Sequence, residues 1–241
     1  MKQALCAALV VALAACGPES APPPRAPRLP SLAELCEKHS TDKCPRFHNY
    51  VELYDKLFAP LRHTTQRVLE IGVQEGDSLR LWEAYFPSAK IFGLDIIPTP
   101  EVNSRRITTM VADQGKREDL QAALKRFGGD YDLIIDDGGH RMALQQVSFA
   151  TLFPALKSGG LYVIEDMHTS FPHLSRLRGD VEPDGSNSTY TMLDHFIRTG
   201  VLRSRYLSEA ESAQLKAQIA QCLYFFRATD LHSDFLACWK K

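Results

Sequence analysis

Between residues 67 and 165 the chain repeats one pattern, in which a short apolar run ends in an acid or a glycine and a helical stretch follows. Arg67 to Gly76 reads as a strand entering a glycine turn, and Ser78 to Phe86 as a helix stopped by Pro87. Lys90 to Asp95 is a second strand and Ile107 to Val111 a weaker third. Lys116–Phe127 (helix), Tyr131–Asp136 (strand), Arg141–Leu156 (helix) and Gly160–Ile164 (strand) continue the alternation. Strands alternating with helices of this length predict an α/β fold with a doubly wound, mostly parallel, Rossmann-like sheet. Right-handed crossovers place these strand ends on one rim, which is where open α/β sheets bind ligands.

The flanks add to this frame. Ser31 and Glu34 have the spacing of a capping box, so a helix starts there. Tyr50, Val51, Tyr54, Leu57 and Phe58 share the face of a second helix that Pro60 closes. Both precede any strand and are expected to cover the sheet. Past Asp166, residues Met167 to Ser188 are polar and aperiodic, with Pro172, Gly179, Pro183 and Gly185, as in a lid or a disordered piece. Tyr190–Ile197 and Ser208–Ile219 read as helices, and Leu223–Arg227 with Phe235–Trp239 as a hairpin, so the sheet should end in an antiparallel pair.

The N-terminus reads differently. Met1-Lys2 is a minimal basic start, and Ala4 to Ala15 is an apolar run too short to span a bilayer. It ends Leu13-Ala14-Ala15-Cys16, which resembles the lipobox of bacterial lipoproteins and implies cleavage before Cys16 and a lipid on its thiol. Prolines at 18, 22, 23, 24, 27 and 30 make the next stretch an extended tether. The expected organisation is therefore a signal peptide (1–15), a tether (16–30) and one domain (31–241), anchored to the bacterial envelope, or cytoplasmic if the signal is unused. Loss of residues 1–15 removes one basic residue and no acid, so no polybasic second anchor is present. With 28 basic against 29 acidic residues, the chain shows no charge signature of a nucleic-acid or membrane-surface partner. Oligomeric state is not legible.

Cys36, Cys44, Cys222 and Cys238 remain after Cys6 and Cys16 are set aside. In an oxidising compartment they allow two disulfides in three connectivities, the local choice being Cys36–Cys44 and Cys222–Cys238. Four free thiols are the other reading. The absence of a Cys-x-x-Cys pair disfavours zinc.

Two constellations carry possible chemistry. In the first, Glu70-x-Gly72-x-x-x-Gly76 is followed at the end of the next strand by Asp95. Glycines let a backbone approach a ligand, and an acid there can accept both hydroxyls of a ribose. The loop lacks the dinucleotide fingerprint and the Lys-Ser/Thr of a P-loop, and Glu70 within the strand suits a cationic or zwitterionic nucleoside better than a pyrophosphate. In the second, Asp136-Asp137-Gly-Gly-His140 ends one strand and Glu165-Asp166 ends the next in sequence. Carboxylates converging from neighbouring strand ends suit a hard divalent ion, and a histidine beside them can take a proton near neutral pH. Taken singly, these segments also read as a structural turn, a helix cap, a surface histidine and a solvated loop.

Val68-Leu-Glu-Ile-Gly72, Gly93-Leu-Asp95, Ala112-Asp113-Gln114 and the final hairpin resemble class I S-adenosylmethionine-dependent methyltransferases. Ser40-Thr41-Asp42-Lys43 with His48-x-Tyr50, Asp136-Asp137-Gly-Gly-His140 and Gly160-Leu-Tyr-Val-Ile-Glu165-Asp166 are similar to the sugar O-methyltransferases of macrolide and tetracenomycin biosynthesis. The resemblance covers residues 31–170, and departs from the family's Asp-Asp-Gly-Ser-His at Gly139. It implies S-adenosylmethionine held by Glu70, Gly72, Gly76, Asp95, Asp113, Gln114 and Asp136. It further implies Mg²⁺ on Asp137, Glu165 and Asp166, His140 as general base, and a small-molecule hydroxyl as acceptor. A catechol acceptor would use a similar rim. An exported chain would be separated from a donor made in the cytoplasm, so the alternative is a lipid-anchored binding protein of this fold without methyl transfer.

Overall fold

The strands at the centre of the sheet are nearly continuous apolar runs because both of their faces are covered. In the computed structural model, which describes residues 28–174, 180–227 and 230–241, the first strand β1 is Arg67–Ile71, β2 Lys90–Asp95, β3 Ile107–Val111, β4 Tyr131–Asp136, β5 Leu156–Glu165, β6 Ile219–Arg227 and β7 Asp230–Lys240. They form one seven-stranded sheet in the order β3-β2-β1-β4-β5-β7-β6. The first five are parallel, and β7 runs antiparallel to both β5 and β6. The helices are α1 (Leu32–Leu35), α2 (Val51–Phe58), α3 (Asp77–Tyr85), α4 (Arg117–Phe127), α5 (Met142–Leu152), α6 (Thr189–Thr199) and α7 (Glu209–Gln218).

Alternation along each strand divides the core in two. Val68, Leu133, Ile135, Leu161 and Val163 face one side, where α1, α2 and α3 bring Leu32, Tyr54, Phe58, Leu79 and Trp82. Leu69, Ile134, Tyr162 and Ile164 face the other, against Leu120 of α4, Phe149 of α5 and Leu193 of α6. The expected cover helices thus lie over one face, and α1 starts with the Ser31/Glu34 capping box complete.

Several boundaries differ from the sequence expectation. The helix expected to reach Leu156 ends at Leu152, because Pro154 turns residues Phe153–Ala155 into a 3₁₀ turn. The strand expected from Gly160 begins at Leu156, and the hairpin expected from Leu223 begins at Ile219, directly after α7. Met167–Ser170, placed in an aperiodic loop, is a 3₁₀ turn. The local disulfides are the ones formed: Cys36–Cys44, and Cys222–Cys238 between directly opposed residues of β6 and β7. Among the described residues no helix is long and apolar enough to cross a membrane. The expected signal peptide, Cys16 and most of the tether lie outside the described residues.

Candidate active site

Register sets where the site lies. Ile71 of β1 pairs with Leu94 and Asp136, and Asp136 pairs with Ile164, so the parallel strands end on one rim. Two cavities open there. The larger, about 640 Å³, runs from Asp95 and Ile97 past Asp113 and Gln114 to Asp137 and Gly138; the smaller, about 60 Å³, lies between the β1 loop and residues 40–42. They share Gly72, Gln74, Glu75 and Asp137.

Gly72 and Gly76 shape the β1 loop. Both have φ in the left-handed region, and Gly76 sits at the N-terminus of α3. A Cβ on Gly72 would lie 2.1 Å from the carbonyl oxygen of Asp137, a backbone atom that cannot turn aside. Gly72→Ala is therefore expected to destabilise by about 1–3 kcal/mol, read as a lower urea midpoint at unchanged m-value. Asp95 fastens the same loop: its carboxylate accepts from the N–H groups of Val73 (2.8 Å) and Gln74 (3.1 Å), and from Ile97 (2.9 Å) on its own side.

Of the remaining residues expected to bind a cofactor, Asp113 and Gln114 line the large cavity. The Gln114 amide donates to Asp136 at 2.6 Å and its oxygen accepts from Gly139 N–H at 2.9 Å, which ties β3 to the loop after β4. Asp136 lies beneath the cavity wall, receiving Ser148 Oγ at 2.5 Å and the Tyr162 hydroxyl at 3.1 Å. Burial pushes its carboxyl up to about 6, against the pull of those bonds. A carboxyl that holds its proton more tightly when folded stabilises the fold fully below its unfolded value near 4, and this is lost as pH rises through about 6. Asp136→Asn is accordingly expected to flatten the fall in stability between about pH 4 and 6 in urea titrations. Glu70 also lies beneath the wall, fully buried, with Trp82 Nε1 donating to it at 2.9 Å and Lys43 Nζ 3.3 Å away. Burial raises it to about 7 despite Lys43. At Gly139 a Cβ would come 2.4 Å from a methyl of Leu144, so the glycine matches a neighbour that fills its space.

The metal set is brought together only in part. Asp137, His140 and Asp166 each offer a ligand atom, all within 4.8 Å of one another. His140 Nε2 is 3.1 Å from Asp166 and 3.9 Å from Asp137. Glu165 is not in this group. Consecutive residues of a strand point to opposite faces, and Glu165 faces the α2 side, where it accepts from Tyr54 OH (2.7 Å) and Lys43 Nζ (3.0 Å). Asp166 leaves the strand in a left-handed conformation and accepts from Tyr50 OH at 2.7 Å. Gln74, His140 and Asp166 are three of the five non-glycine residues at positive φ among the described residues, a conformation held only where surroundings over-determine it. Burial alone would push Asp166 up, but His140, the Tyr50 hydroxyl, His48 and His168 outweigh it and hold the carboxylate below its usual range.

Lys43 is the residue whose place the sequence did not disclose. Its ammonium is fully buried, paired with Asp137 as well as with Glu165 and Glu70, and 3.9 Å from Asp42. Burial opposes the charge, and Asp137, Glu165 and Glu70 outweigh it, so Lys43 stays protonated well above its ordinary range. The sequence signal was Glu70 itself, since an acid inside an apolar strand requires a cation near it. Beyond Asp166, His168 Nδ1 pairs with Asp234 at 3.0 Å, and Tyr224 OH donates to the same carboxylate at 2.5 Å.

The sheet, its reversed final strand and the cavity at the rim define a Rossmann-like methyltransferase fold. No protein-family model matches the chain. Mycinamicin VI 2''-O-methyltransferase of Micromonospora griseorubida is 42% identical over 151 residues, covering 60% of this chain and 38% of that protein. Demethylmacrocin O-methyltransferase of Streptomyces fradiae is 38% identical over 167 residues, covering 66% and 42%. The chain therefore spans about 40% of the length of these curated relatives. Among solved structures, the MycE methyltransferase of the mycinamycin pathway, in complex with Mg, SAH and mycinamycin VI, superposes with a TM-score of 0.73 at 32% identity. The match covers 88% of this chain and 55% of that one.

Proposed function

We propose that the chain is an S-adenosylmethionine-dependent O-methyltransferase acting, with Mg²⁺, on a sugar-like hydroxyl of a glycosylated natural product. The observation that carries this reading is the position of Asp137. It lines both cavities and also belongs to the donor group with His140 and Asp166. A methyl donor in the cavity and an acceptor at the donor group would thus meet at one residue. The similarity to the mycinamicin, tetracenomycin and macrocin O-methyltransferases supports the same activity and acceptor class.

In this reading Asp95 receives the ribose hydroxyls, Asp113 and Gln114 face the base, and Asp136 and Glu70 hold the walls from beneath. Asp137 and Asp166 supply hard oxygens for Mg²⁺, and the close spacing of the donor atoms fits one small ion. When bound, the cofactor supplies an electrophilic methyl group and the ion lowers the pKa of the acceptor hydroxyl. His140 takes the hydroxyl proton on its imidazole, and Asp166, 3.1 Å from Nε2, stabilises the imidazolium that results. Glu165 and Lys43 act one layer back, orienting Asp137.

Calorimetry on the chain with S-adenosylmethionine, with and without Mg²⁺, tests the reading. Binding is expected, and no binding at millimolar cofactor would refute it.

We also propose an envelope location through a lipid on Cys16. The small residues before Cys16 support it, as do two disulfides, which persist in oxidising compartments. Radioactive palmitate should label the chain and fail to label Cys16→Ser; an unlabelled wild type removes this proposal. If the chain is tethered outside and binds cofactor without turnover, it is a binding protein that has kept the fold.

A further inference from the structure

Between α1 and α2 a disulfide and the buried ion group meet in one short segment. Cys36 caps α1, whose Leu32 and Leu35 lie in the core, so it stands on a fixed post. Cys44, bonded to it, directly follows Lys43. The ring of residues 36–44 therefore carries Lys43, whose ammonium Asp137, Glu165 and Glu70 share. It also carries Ser40, Thr41 and Asp42, which wall the smaller cavity together with Gly72 and Gln74. We infer that Cys36–Cys44 is a thiol-sensitive lock on the cofactor site. The closed ring binds an S-adenosyl ligand tightly, and a dithiol that opens the ring weakens binding. The inference rests on the cofactor reading above and adds its regulation.

The two disulfides differ in what can reach them. Cys222 and Cys238 are both buried in the hairpin, at 4% and 0% exposed. Cys44 is buried as well, but Cys36 is half-buried, which makes it the side a reductant reaches. A thiolate of the dithiol bonds to Cys36 Sγ and breaks the Cys36–Cys44 bond, and Cys44 leaves as a thiolate that takes up a proton. The second thiol of the reductant then displaces Cys36 and closes a disulfide of its own. Two electrons and two protons pass to the protein, and the dithiol is oxidised.

Opening the ring acts on the site through conformational freedom. Residues 36–50 contain neither helix nor strand. Turn bonds shape them, among these Cys44 N–H to Thr41 O at 3.1 Å and His48 N–H to Asp42 O at 3.0 Å. Such bonds lie within the segment and move with it, whereas the disulfide ties its end to α1. Closing a ring removes freedom from the open chain, and a wall ordered in advance gives up little on binding. With the ring open, a ligand must order residues 37–43 itself. The Lys43 ion group preserves part of that order, so affinity falls without being abolished. By the same rule the ligand is held more tightly in an oxidising compartment than where cellular thiols are kept reduced.

Calorimetry on the full chain with S-adenosylhomocysteine, before and after dithiothreitol, tests the lock, and alkylation mapping shows which cysteines have opened. Without denaturant, dithiothreitol should expose Cys36 and Cys44 to alkylation and leave Cys222 and Cys238 protected. The circular dichroism should stay that of the folded chain while the ligand binds at least about ten-fold more weakly. Reoxidation should restore the affinity. Cys36→Ser should bind as weakly as the reduced wild type and be indifferent to dithiothreitol. Unchanged affinity in an open ring, whether opened by reductant or by Cys36→Ser, overturns the inference. So does a ring that dithiothreitol cannot open in the folded chain, or a loss that comes with global unfolding. A further loss when Cys36→Ser meets dithiothreitol also overturns it, because the effect then belongs to the hairpin bridge. An oxidised wild type that binds no S-adenosylhomocysteine at millimolar concentration refutes the cofactor reading itself.

Discussion

Replacing Lys43 with methionine is expected to lower the stability of the fold by about 3–5 kcal/mol, measured by urea unfolding at pH 7. Methionine fills much of the same space but leaves Asp137, Glu165 and Glu70 facing one another without their shared cation. Breaking a buried ion group from one side is costly because the desolvated partners must either keep their repelling charges or take up protons at pH 7. The pH dependence gives a second check. Carboxyls without the cation hold protons more tightly in the folded chain than in the unfolded one. That stabilisation is complete below their unfolded values near 4 and is lost as pH rises. The deficit of the variant should therefore narrow as the pH falls from 7 to 5. Adding Glu165→Gln to Lys43→Met should narrow it at pH 7 as well. A deficit below about 1 kcal/mol, the worth of an exposed pair, would mean that the buried ion group does not exist.

The second large effect is on turnover. His140→Ala is expected to lower kcat by about 100- to 10,000-fold, the usual contribution of a positioned general base, with cofactor affinity nearly unchanged. His140 has φ of 51°, so alanine there adds backbone strain to the loss of the imidazole. Asparagine tolerates this conformation better, and His140→Asn should show the same kinetic loss with a smaller loss of stability. Parallel loss of cofactor affinity and turnover in both variants would contradict the role as base. Restoration of the histidine-free enzyme by raised Mg²⁺ alone would assign His140 to the metal instead.

Strands β1 to β4 were legible because buried parallel strands leave an apolar run between turn residues, and β2, β3 and β4 have the expected limits. The hairpin was legible in kind and not in extent: Ala220 and Gln221 are exposed in an edge strand, so apolar content did not mark their place. At the site, the paired strand ends were visible in sequence, and so was the acid of the second strand. Lys43 was not, because a single lysine in a turn between helices carries no period, and its partners Glu70, Asp137 and Glu165 are brought to it by the fold. Tyr50 and Tyr54 share one helical face in the sequence pattern, yet their hydroxyls, which hold Asp166 and Glu165, look from sequence like core. The divergence of Glu165 from Asp166 follows from strand pleating, though a motif written in one line presents the two as a pair.

The reversed final strand has a consequence for how such a chain can change. Because β7 opposes Glu165 with Phe235, residues 230–234 continue beyond the rim on which the parallel strands stop. Asp234, bonded to Tyr224 and His168, stands at the base of that extension. On the pleat's rise of roughly 3.3 Å per residue, the overhang is a finger of about 15 Å. It is anchored below by five paired positions with β5 and a disulfide across its own two strands. Through Asp234 the hairpin also fixes His168, which lies 3.7 Å from Asp166, so a shift in the strand pairing is passed to the donor group through one ring.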